Sequence, residues 1–292
     1  MTPRLVCFLV FVVGAPGLGA QQATGAWDAV ARALGKPVPA AGETYRATFP
    51  RSDLHVRVGS VAVEPALALT SWAGFAGPPD SCEVMGDLVL GEGEVPHVVA
   101  ALLDRGIDVT AVHHHLLAET PRIFYVHFHG RGDGAALATK LKAVLALTAT
   151  PLGTTPTTPA TLSGASLDTG TVFAALGVHG RLTGDVAQVS VATSGSLVTL
   201  DGRTIPAALG MNTAINIEPF APGRAAAAGD FVLTGERLRA VLRALTTASI
   251  HVTAVHNHMV GEVPRAFFVH FWGEGDPLDL ARSLRTAIDS AR

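Results

Sequence analysis

The feature that most constrains the fold of this chain is a segment that occurs twice. Residues 110–130 read TAVHHHLLAETPRIFYVHFHG and residues 253–273 read TAVHNHMVGEVPRAFFVHFWG, with 13 identities in 21 positions at an offset of 143 residues. The same offset pairs Asp87 with Asp230. A similarity that recurs at one fixed separation indicates two copies of a single domain.

The length and composition agree with two domains. The chain has 292 residues, of which 48% are hydrophobic and 15% are charged, enough for two cores of ordinary size. Residues 148–161 read TATPLGTTPTTPAT, a Thr/Pro-rich stretch typical of an extended connector. We therefore predict a first repeat over 21–147 and a second over 162–292.

The N-terminus predicts export. Arg4 precedes an apolar run over residues 5–13, which is followed by glycine, proline and small residues up to Ala20. This pattern is typical of a secretory signal peptide over 1–20. The apolar run is shorter than the roughly 20 residues that span a bilayer, so no transmembrane segment is predicted in the mature chain. Bulky Val6 before Cys7 makes a lipid anchor the weaker alternative, and we expect a secreted or periplasmic protein.

Charge and cysteine content exclude two further classes. The chain has 24 acidic and 21 basic residues, a net charge of −3, and no block of Lys and Arg that would contact phosphates. Nucleic acid is therefore not a predicted partner, whereas a small-molecule or cell-envelope ligand remains open. Cys82 would be alone in the mature chain, so no internal disulfide is predicted.

Each copy has the same predicted order of elements: strand, helix, strand, strand, helix. Strands are predicted near 86–90 and 229–233, and helices follow at 95–105 and 236–245 because apolar residues recur there at helical spacing. A hairpin and a closing helix complete each copy. The fold class is thus α+β, a tandem duplication in which each copy is an antiparallel-rich sheet packed on helices.

The hairpin places histidines on one face. Side chains alternate along a strand, so His113 and His115 share a face, and a turn centred near residue 120 would place His113 opposite His127 and His115 opposite Tyr125. The other face is predicted to pack on the helices. That apolar face consists of Val112, Phe124, Val126 and Phe128.

These histidines are candidate metal ligands. Three imidazoles on one face resemble the three-histidine zinc site of carbonic anhydrase, and zinc is the first choice, with copper or iron as alternatives. The opposing interpretation is that they are hydrogen-bonded structural residues, which a duplication repeats as faithfully as ligands. The predicted ligand sets are His113, His115 and His127 in the first copy and His256, His258 and His270 in the second.

Each turn carries a Glu and an Arg with candidate catalytic roles. Glu119 and Glu262 are four residues beyond the second histidine and are predicted to complete a metal shell, orient a ligand or act as general base. Arg122 and Arg265 are predicted to bind a carboxylate or phosphate. The alternative is that each Glu pairs with the nearby Arg and fixes the turn.

Differences between the copies mark other histidines as peripheral. His114 corresponds to Asn257 and His129 to Trp272, so neither is needed for a role that both copies perform. His97 and His251 have no histidine at the equivalent position and are predicted at the surface. Met259 is a candidate soft ligand for Cu(I) or, more plainly, core filling.

The second hairpin, with VHNHM followed by ExPRxFFVHFWG and preceded by GDFVL and a helix, resembles the LppY/LpqO family of exported bacterial proteins. The resemblance extends over both copies, although the first departs from the pattern at His114 and His129. It implies an exported or lipid-anchored protein with a domain of unknown function in two copies. The resemblance implies no activity.

Three functions follow as hypotheses. The first is a metal-binding exported protein that acts as a metal-dependent hydrolase. The second is a cell-envelope binding module in which Tyr125, Phe268 and Trp272 form an exposed aromatic patch. The third is a metal-independent enzyme in which histidines of the two copies act as acid and base across a pseudo-two-fold cleft, as in two-histidine phosphoesterases, although the His-apolar-Thr/Ser hallmark is missing.

Overall fold

The computed structural model describes residues 18–41, 43–153, 165–192 and 198–292. Most of the predicted signal peptide, residues 1–17, and residues 154–161 of the predicted connector lie outside the described residues. The predicted domain boundaries and cleavage site therefore stay predictions.

The first copy contains three helices and nine strands within the described part of the chain. In chain order these are α1 Leu18–Leu34, β1 Ala40–Ala41, β2 Thr44–Pro50, β3 Arg57–Val58, β4 Val61–Ala62, β5 Thr70–Ala76, β6 Cys82–Gly91, α2 Val95–Asp104, β7 Asp108–His113, β8 Glu119–Thr120, β9 Ile123–Gly132 and α3 Gly134–Leu145.

The second copy repeats this plan with fewer short strands. Its elements are α4 Thr169–Leu176, β10 Gly180–Thr183, β11 Val186–Ala192, β12 Thr199–Leu200, β13 Arg203–Thr204, β14 Asn212–Ala221, β15 Arg224–Thr234, α5 Gly235–Thr247, β16 His251–Asn257, β17 Ala266–Gly275 and α6 Pro277–Ser290.

Both copies build the same six-stranded sheet. The strand order is β1-β2-β5-β6-β9-β7 in the first and β10-β11-β14-β15-β17-β16 in the second, and every pairing is antiparallel. The predicted α+β duplication is confirmed, including the strand-helix-strand-strand-helix core.

The closing helices begin at repeated aspartates. The Asp133 carboxylate accepts a hydrogen bond from the Ala136 amide, and Asp276 accepts from the amides of Leu278 and Asp279. Such N-caps satisfy amides that have no partner inside the helix. The helices then pack on one face of their own sheet, where Phe128 and Leu141 form part of the first core and Phe271 and Leu284 part of the second.

The other faces of the two sheets face each other. Tyr125 packs in a cluster with Ala228 and Trp272 of the other copy, and Met85 packs in a second cluster with Phe268. The layers therefore run helices, sheet, sheet, helices, with mixed apolar clusters holding the two copies together.

A reciprocal pair of hydrogen bonds fixes the copies at their edge strands. The Thr110 hydroxyl donates to the carbonyl oxygen of His258 at 2.7 Å, and the Thr253 hydroxyl donates to that of His115 at 2.9 Å. Thr110 and Thr253 are equivalent residues, as are His115 and His258, so the two contacts are related by a pseudo-two-fold axis. The axis passes between strands β7 and β16.

The predicted hairpin register is wrong by two residues. The observed pairs are Ala111 with His127, Val112 with Val126 and His113 with Tyr125, with a bulge between Val109 and Ala111. A displacement of two residues keeps every side chain on its face, so the histidines stay on the predicted side. Extra turn residues form short β8, which shifts the closure of the hairpin.

Two members of the predicted helix-packed face lie outside the helix-packed core. Val112 is 49% exposed and Phe124 is partly buried beside His114, whereas Val126 and Phe128 are buried against the helices as predicted. Strand β7 is at the edge of its sheet, and helix cover does not extend over Val112.

We predict that Gly229→Ala destabilises the protein. A Cβ at Gly229 would lie 2.0 Å from the backbone oxygen of Ala214, so β14 and β15 must move apart. The free energy of unfolding should fall by about 1–3 kcal/mol, the usual cost of overpacking. Urea denaturation measures this, with Gly93→Ala as control because open space surrounds Gly93. An unchanged midpoint for Gly229→Ala contradicts the prediction.

Candidate metal centre

The six predicted histidines meet between the two sheets. The rings of His113 and His256 stack with centroids 4.0 Å apart, and those of His115 and His270 are 3.7 Å apart. His258 lies edge-on to His127 at 4.1 Å. Sequence analysis assigned one trio to each copy, whereas the structure brings both trios into one cluster, which we call the histidine cluster.

Four of these imidazoles surround a common point. His113, His127, His256 and His270 each offer a ring nitrogen, and these nitrogens all lie within 4.8 Å of one another. His113 is equivalent to His256, and His127 to His270, so each copy contributes the same two residues. The pseudo-two-fold axis therefore relates the two halves of a four-imidazole group.

The other two predicted ligands lie beside this group. His115 groups with Asp87 and His113, and also with Asp230 and His270. His258 belongs to none of the ligand groups among the described residues and stacks between Trp72 and Phe268.

Two aspartates complete the cluster, and sequence analysis did not assign them to the site. Asp87 pairs with His127 across strands β6 and β9, and Asp230 pairs with His270 across β15 and β17. The His270 Nδ1 contacts Asp230 Oδ1 at 2.5 Å, and the His127 Nδ1 lies 3.5 Å from Asp87 Oδ1. The sequence did contain a sign of these two residues, because an aspartate occurs at the same position of an apolar strand in both copies.

Hydrogen bonds fix the tautomers of two imidazoles. His270 donates from Nδ1 to Asp230, and His256 donates from Nδ1 to the carbonyl oxygen of Asn257 at 2.7 Å. In the neutral form each Nε2 then carries a lone pair, and these two atoms are 2.6 Å apart. Two lone pairs facing each other do not make a hydrogen bond. Both atoms are therefore available as ligands to one cation.

Other ring nitrogens are buried without a hydrogen-bond partner among the described residues. In the cluster they are Nδ1 and Nε2 of His113, Nε2 of His115, Nε2 of His127, and Nδ1 and Nε2 of His258, and outside it they are Nδ1 of His114 and Nε2 of His129. Buried polar atoms are nearly always satisfied, and an ion is one of the partners that accounts for such a group. The residues therefore fit a transition metal.

Burial keeps the imidazoles neutral. It lowers the pKa of His113 and of His127 well below the usual range, and the pKa of His256 to about 3 and of His258 to about 4. Burial also lowers the pKa of His115 and of His270. Neutral imidazole is the form that binds metal, so these ligands need not lose a proton at neutral pH.

The two aspartates differ in charge. Burial raises the pKa of Asp87 well above its usual range, although the nearby His270 opposes it. Burial also acts on Asp230, but His270 and His115 outweigh it and hold the pKa of Asp230 well below its usual range. Asp230 is therefore the more acidic of the two aspartates in the metal-free protein.

The predicted catalytic residues of the turns lie elsewhere. Glu119 and Glu262 are buried but accept hydrogen bonds from the backbone amides of Ile123 and Ala266, at 3.3 and 3.1 Å. Neither glutamate occurs in a ligand group, and no Glu–Arg ion pair within either turn exists among the described residues. Each glutamate thus braces its own turn.

The arginines of the turns are exposed. Arg122 lies over the ring of Phe124, 5.6 Å from its centroid, and Arg265 is also at the surface. Neither lines the cleft described below.

The histidines that differ between the two copies lie outside the four-imidazole group, as predicted. The ring of His114 lies tilted against that of Phe124, with centroids 4.7 Å apart, and His97 and His251 are exposed. His114 and His129 belong to none of the ligand groups in the described ranges. Met259 is buried in an apolar cluster, as core filling.

The predicted aromatic patch is not a surface. Phe268 and Trp272 are buried, and buried Tyr125 donates its hydroxyl to the carbonyl oxygen of Ala68 at 2.9 Å. Strand alternation placed them on the histidine face correctly, but that face is covered by the second sheet. The hypothesis of an exposed aromatic patch is therefore wrong.

A cleft of about 1460 Å³ opens beside the histidine cluster. Its floor includes His115, His127, His270, Asp87 and Asp230. Residues of both copies line it, so the cleft follows the junction between the two sheets. A ligand in this cleft would reach the cluster directly.

The fold and the site define a class: a tandem α+β protein whose two copies share one buried histidine–aspartate cluster beside an open cleft. Residues 28–147 and 171–290 both match the family model described as Domain of Unknown Function (DUF1259), and the chain belongs to that family. The predicted domain of unknown function in two copies is thereby shown.

No curated protein matches the sequence. Two solved structures show a remote likeness, the trimeric bacterial microcompartment shell protein PduB and EtuB from Clostridium kluyveri. Each is 12% identical over 87% of this chain, covering 90% and 89% of those chains, with TM-scores of 0.20 and 0.21. Values this low carry no argument about this chain.

Among the described helices, none has both the length and the apolar character needed to cross a membrane.

We predict that the metal-free protein loses stability as pH falls from 7 towards 4. All six cluster histidines have lowered pKa values in the folded state, so below about pH 6.5 the unfolded chain binds protons that the folded chain does not. Each such proton changes the free energy of unfolding by about 1.4 kcal/mol per pH unit. Asp87 and Glu218, whose pKa values burial raises, act in the opposite direction but are two groups against six.

Urea denaturation of chelator-treated protein at several pH values measures this slope. Replacement of exposed His97 by Gln should leave the slope unchanged, whereas His113→Gln should reduce it. A urea midpoint that stays constant between pH 7 and pH 5 contradicts the prediction that these histidines are buried in their neutral form.

Proposed function

We propose that this protein binds one divalent transition metal ion, with zinc as the first choice and copper or iron as alternatives. His113, His127, His256 and His270 are the ligand set. The observation that carries the proposal is the pair of Nε2 atoms of His256 and His270, whose lone pairs face each other at 2.6 Å. Imidazole nitrogen is a ligand that all three metals accept.

The cluster also provides orientation for its ligands. Asp230 holds the ring of His270 through Nδ1 and so directs Nε2 to the centre, which is the usual arrangement of a carboxylate behind a metal-bound histidine. Asp87 lies 3.5 Å from the Nδ1 of His127 without forming this bond, and that Nδ1 donates instead to the carbonyl oxygen of Gly86 at 3.4 Å. One ion on the axis replaces the two separate sites that the sequence suggested.

We further propose that the protein is a metal-dependent hydrolase. Catalytic zinc sites use three protein ligands and keep one position for water, and any three of the four imidazoles supply such a set. A bound metal would polarise a substrate carbonyl or phosphoryl oxygen and lower the pKa of water. The adjacent cleft supports a catalytic role over a purely structural ion, because structural zinc sites are closed.

The metal-independent acid–base alternative has less support. Histidines of the two copies do meet across the pseudo-two-fold axis, as that hypothesis requires. However, an acid and a base need pKa values on opposite sides of the working pH. Burial lowers the pKa of all six imidazoles. A neutral cluster suits a metal better than it suits proton transfer.

We also propose that the protein is exported and that it is of the LppY/LpqO type. The support is the pattern of residues 1–20 and the hairpin motif ExPRxFFVHFWG.

Metal analysis tests the site. Protein purified without an affinity tag should contain one metal ion per chain by inductively coupled plasma mass spectrometry. His270→Ala and His127→Ala should abolish stoichiometric binding, because each removes a ligand from the shared group. His97→Ala is the matched control, since His97 is exposed and distant from the cluster. Absence of metal ends the proposal, and two ions per chain would favour one site in each copy.

A substitution of Asp230 tests whether its carboxylate supports metal binding by His270. Asp230→Asn should weaken metal binding about 10–100-fold, the usual effect of removing a carboxylate behind a ligand. Asp104→Asn, at an exposed helix position, should have no effect.

Turnover of p-nitrophenyl acetate and p-nitrophenyl phosphate tests the hydrolase. Metal-loaded protein should hydrolyse one of them, the rate should vanish after chelation and return with zinc, and His270→Ala should be inactive. A rate that survives chelation favours the acid–base enzyme. Ligand binding without turnover of any tested ester favours the binding module.

A further inference from the structure

The cleft differs from the cluster in one respect: it is not symmetric. Arg46 of β2 donates to the carbonyl oxygen of Ala208 at 3.3 Å, and the equivalent Gln188 of β11 donates to that of Ala66 at 2.8 Å. The two contacts occupy corresponding places about the pseudo-two-fold axis. The first copy thus places a cation where the second has a neutral amide.

A tryptophan supports this cation. The Arg46 guanidinium carbon lies 3.8 Å from the centroid of the Trp72 ring. Trp72 pairs with Asp87 across the sheet, whereas Ala214 pairs with the equivalent Asp230. Stacking on an indole holds a guanidinium in place while leaving its N–H groups free to donate. This support is absent on the other side of the axis.

Arg46 has no carboxylate partner within 4.0 Å in the described part of the chain. Burial, together with the nearby Arg181 of the other copy, lowers the pKa of Arg46 to about 10 against the attraction of Asp230. Arg181 also lines the cleft and makes no ion pair with any described residue. Two arginines, one from each copy, therefore line one cleft, and neither is ion-paired with a described carboxylate.

The cleft walls are basic overall. Besides these arginines, Lys36 and Arg57 line the cleft, while two of its three acidic side chains, Asp87 and Asp230, belong to the histidine cluster. Positive walls above the floor attract an anion and steer it inward.

We propose that the cleft binds an anionic ligand, through a carboxylate or phosphate group held by Arg46 with Arg181 opposite. This rests on the proposed function in one respect, that the cleft is the substrate site of the metal centre. The substrate would then be an organic acid or a phosphate compound. Its anionic group would bind Arg46, and the rest of the molecule would extend to the floor of the cleft. Guanidinium binds the two oxygens of such groups in parallel.

Calorimetric titration of the full-length metal-free protein tests the anion site apart from the metal. Inorganic phosphate and malonate are the probes, and malonamide is the uncharged analogue of malonate. We expect saturable binding of at least one anion, none of malonamide, and weakening of the anion affinity as salt is added. Phosphate binding without malonate binding identifies a phosphate compound, and the reverse identifies an organic acid.

Arg46→Gln is the decisive variant. It places in the first copy the residue that the second already has, so the hydrogen bond to the Ala208 carbonyl can be kept and the fold preserved. Loss of a charged hydrogen-bonding group should weaken anion binding about 10-fold or more. Arg181→Gln should have a smaller effect because Arg181 is exposed, and Arg239→Gln on α5 should have none.

The outcomes separate the two proposals. Equal affinity of Arg46→Gln and wild type, or equal binding of malonate and malonamide, overturns the anion site. Anion binding that depends on Arg46 in a protein that takes up no metal upholds the anion site and rejects the metal centre. Stoichiometric metal binding without anion binding upholds the metal centre and rejects the anion site.

Discussion

The structure depends on burying ionisable groups where two sheets meet. Six imidazoles and two carboxylates lie between the copies, and most of them are inaccessible to water. Each buried polar atom that lacks a partner costs about 1–3 kcal/mol. The fold offsets this cost with the cross-strand Asp–His contacts and with apolar clusters on either side, in which residues such as Tyr125 and Met85 join the two copies. A metal ion would satisfy the nitrogens that these contacts leave unpaired.

The fold followed from the sequence because its signals are local or periodic. Repetition revealed the duplication, helical spacing located the helices, and strand alternation placed His113 and His127 on one face. The register failed because the turn includes the short strand at Glu119, which pairs with distant β3, and no local pattern encodes that contact. An error of two residues was harmless to the face assignment, since alternation has a period of two.

The shared centre was not predictable from either copy alone. A repeat establishes that two domains are alike and contains no information about how they dock. That docking is set by contacts such as Thr110 to His258, which are 148 residues apart. Asp87 and Asp230 could have been predicted from the sequence alone, because a repeated aspartate inside an apolar strand is a sign of a buried polar site. Glu119 and Glu262 attracted attention by their spacing, yet their carboxylates serve the backbone of their own turns.

Duplication explains how one chain combines a symmetric centre with an asymmetric cleft. Each copy supplies two of the four imidazoles, so neither half completes the group alone, and a covalent connection keeps the second half at high effective concentration. In a dimer of identical chains, any change near the axis would appear on both sides. Within one chain the two sides are free to differ, and they do so at Arg46 and Gln188 and at Trp72 and Ala214, while the ligand set is unchanged. The four imidazoles related by the axis are therefore the same in both copies, whereas the cleft beside them contains the residues that break the symmetry.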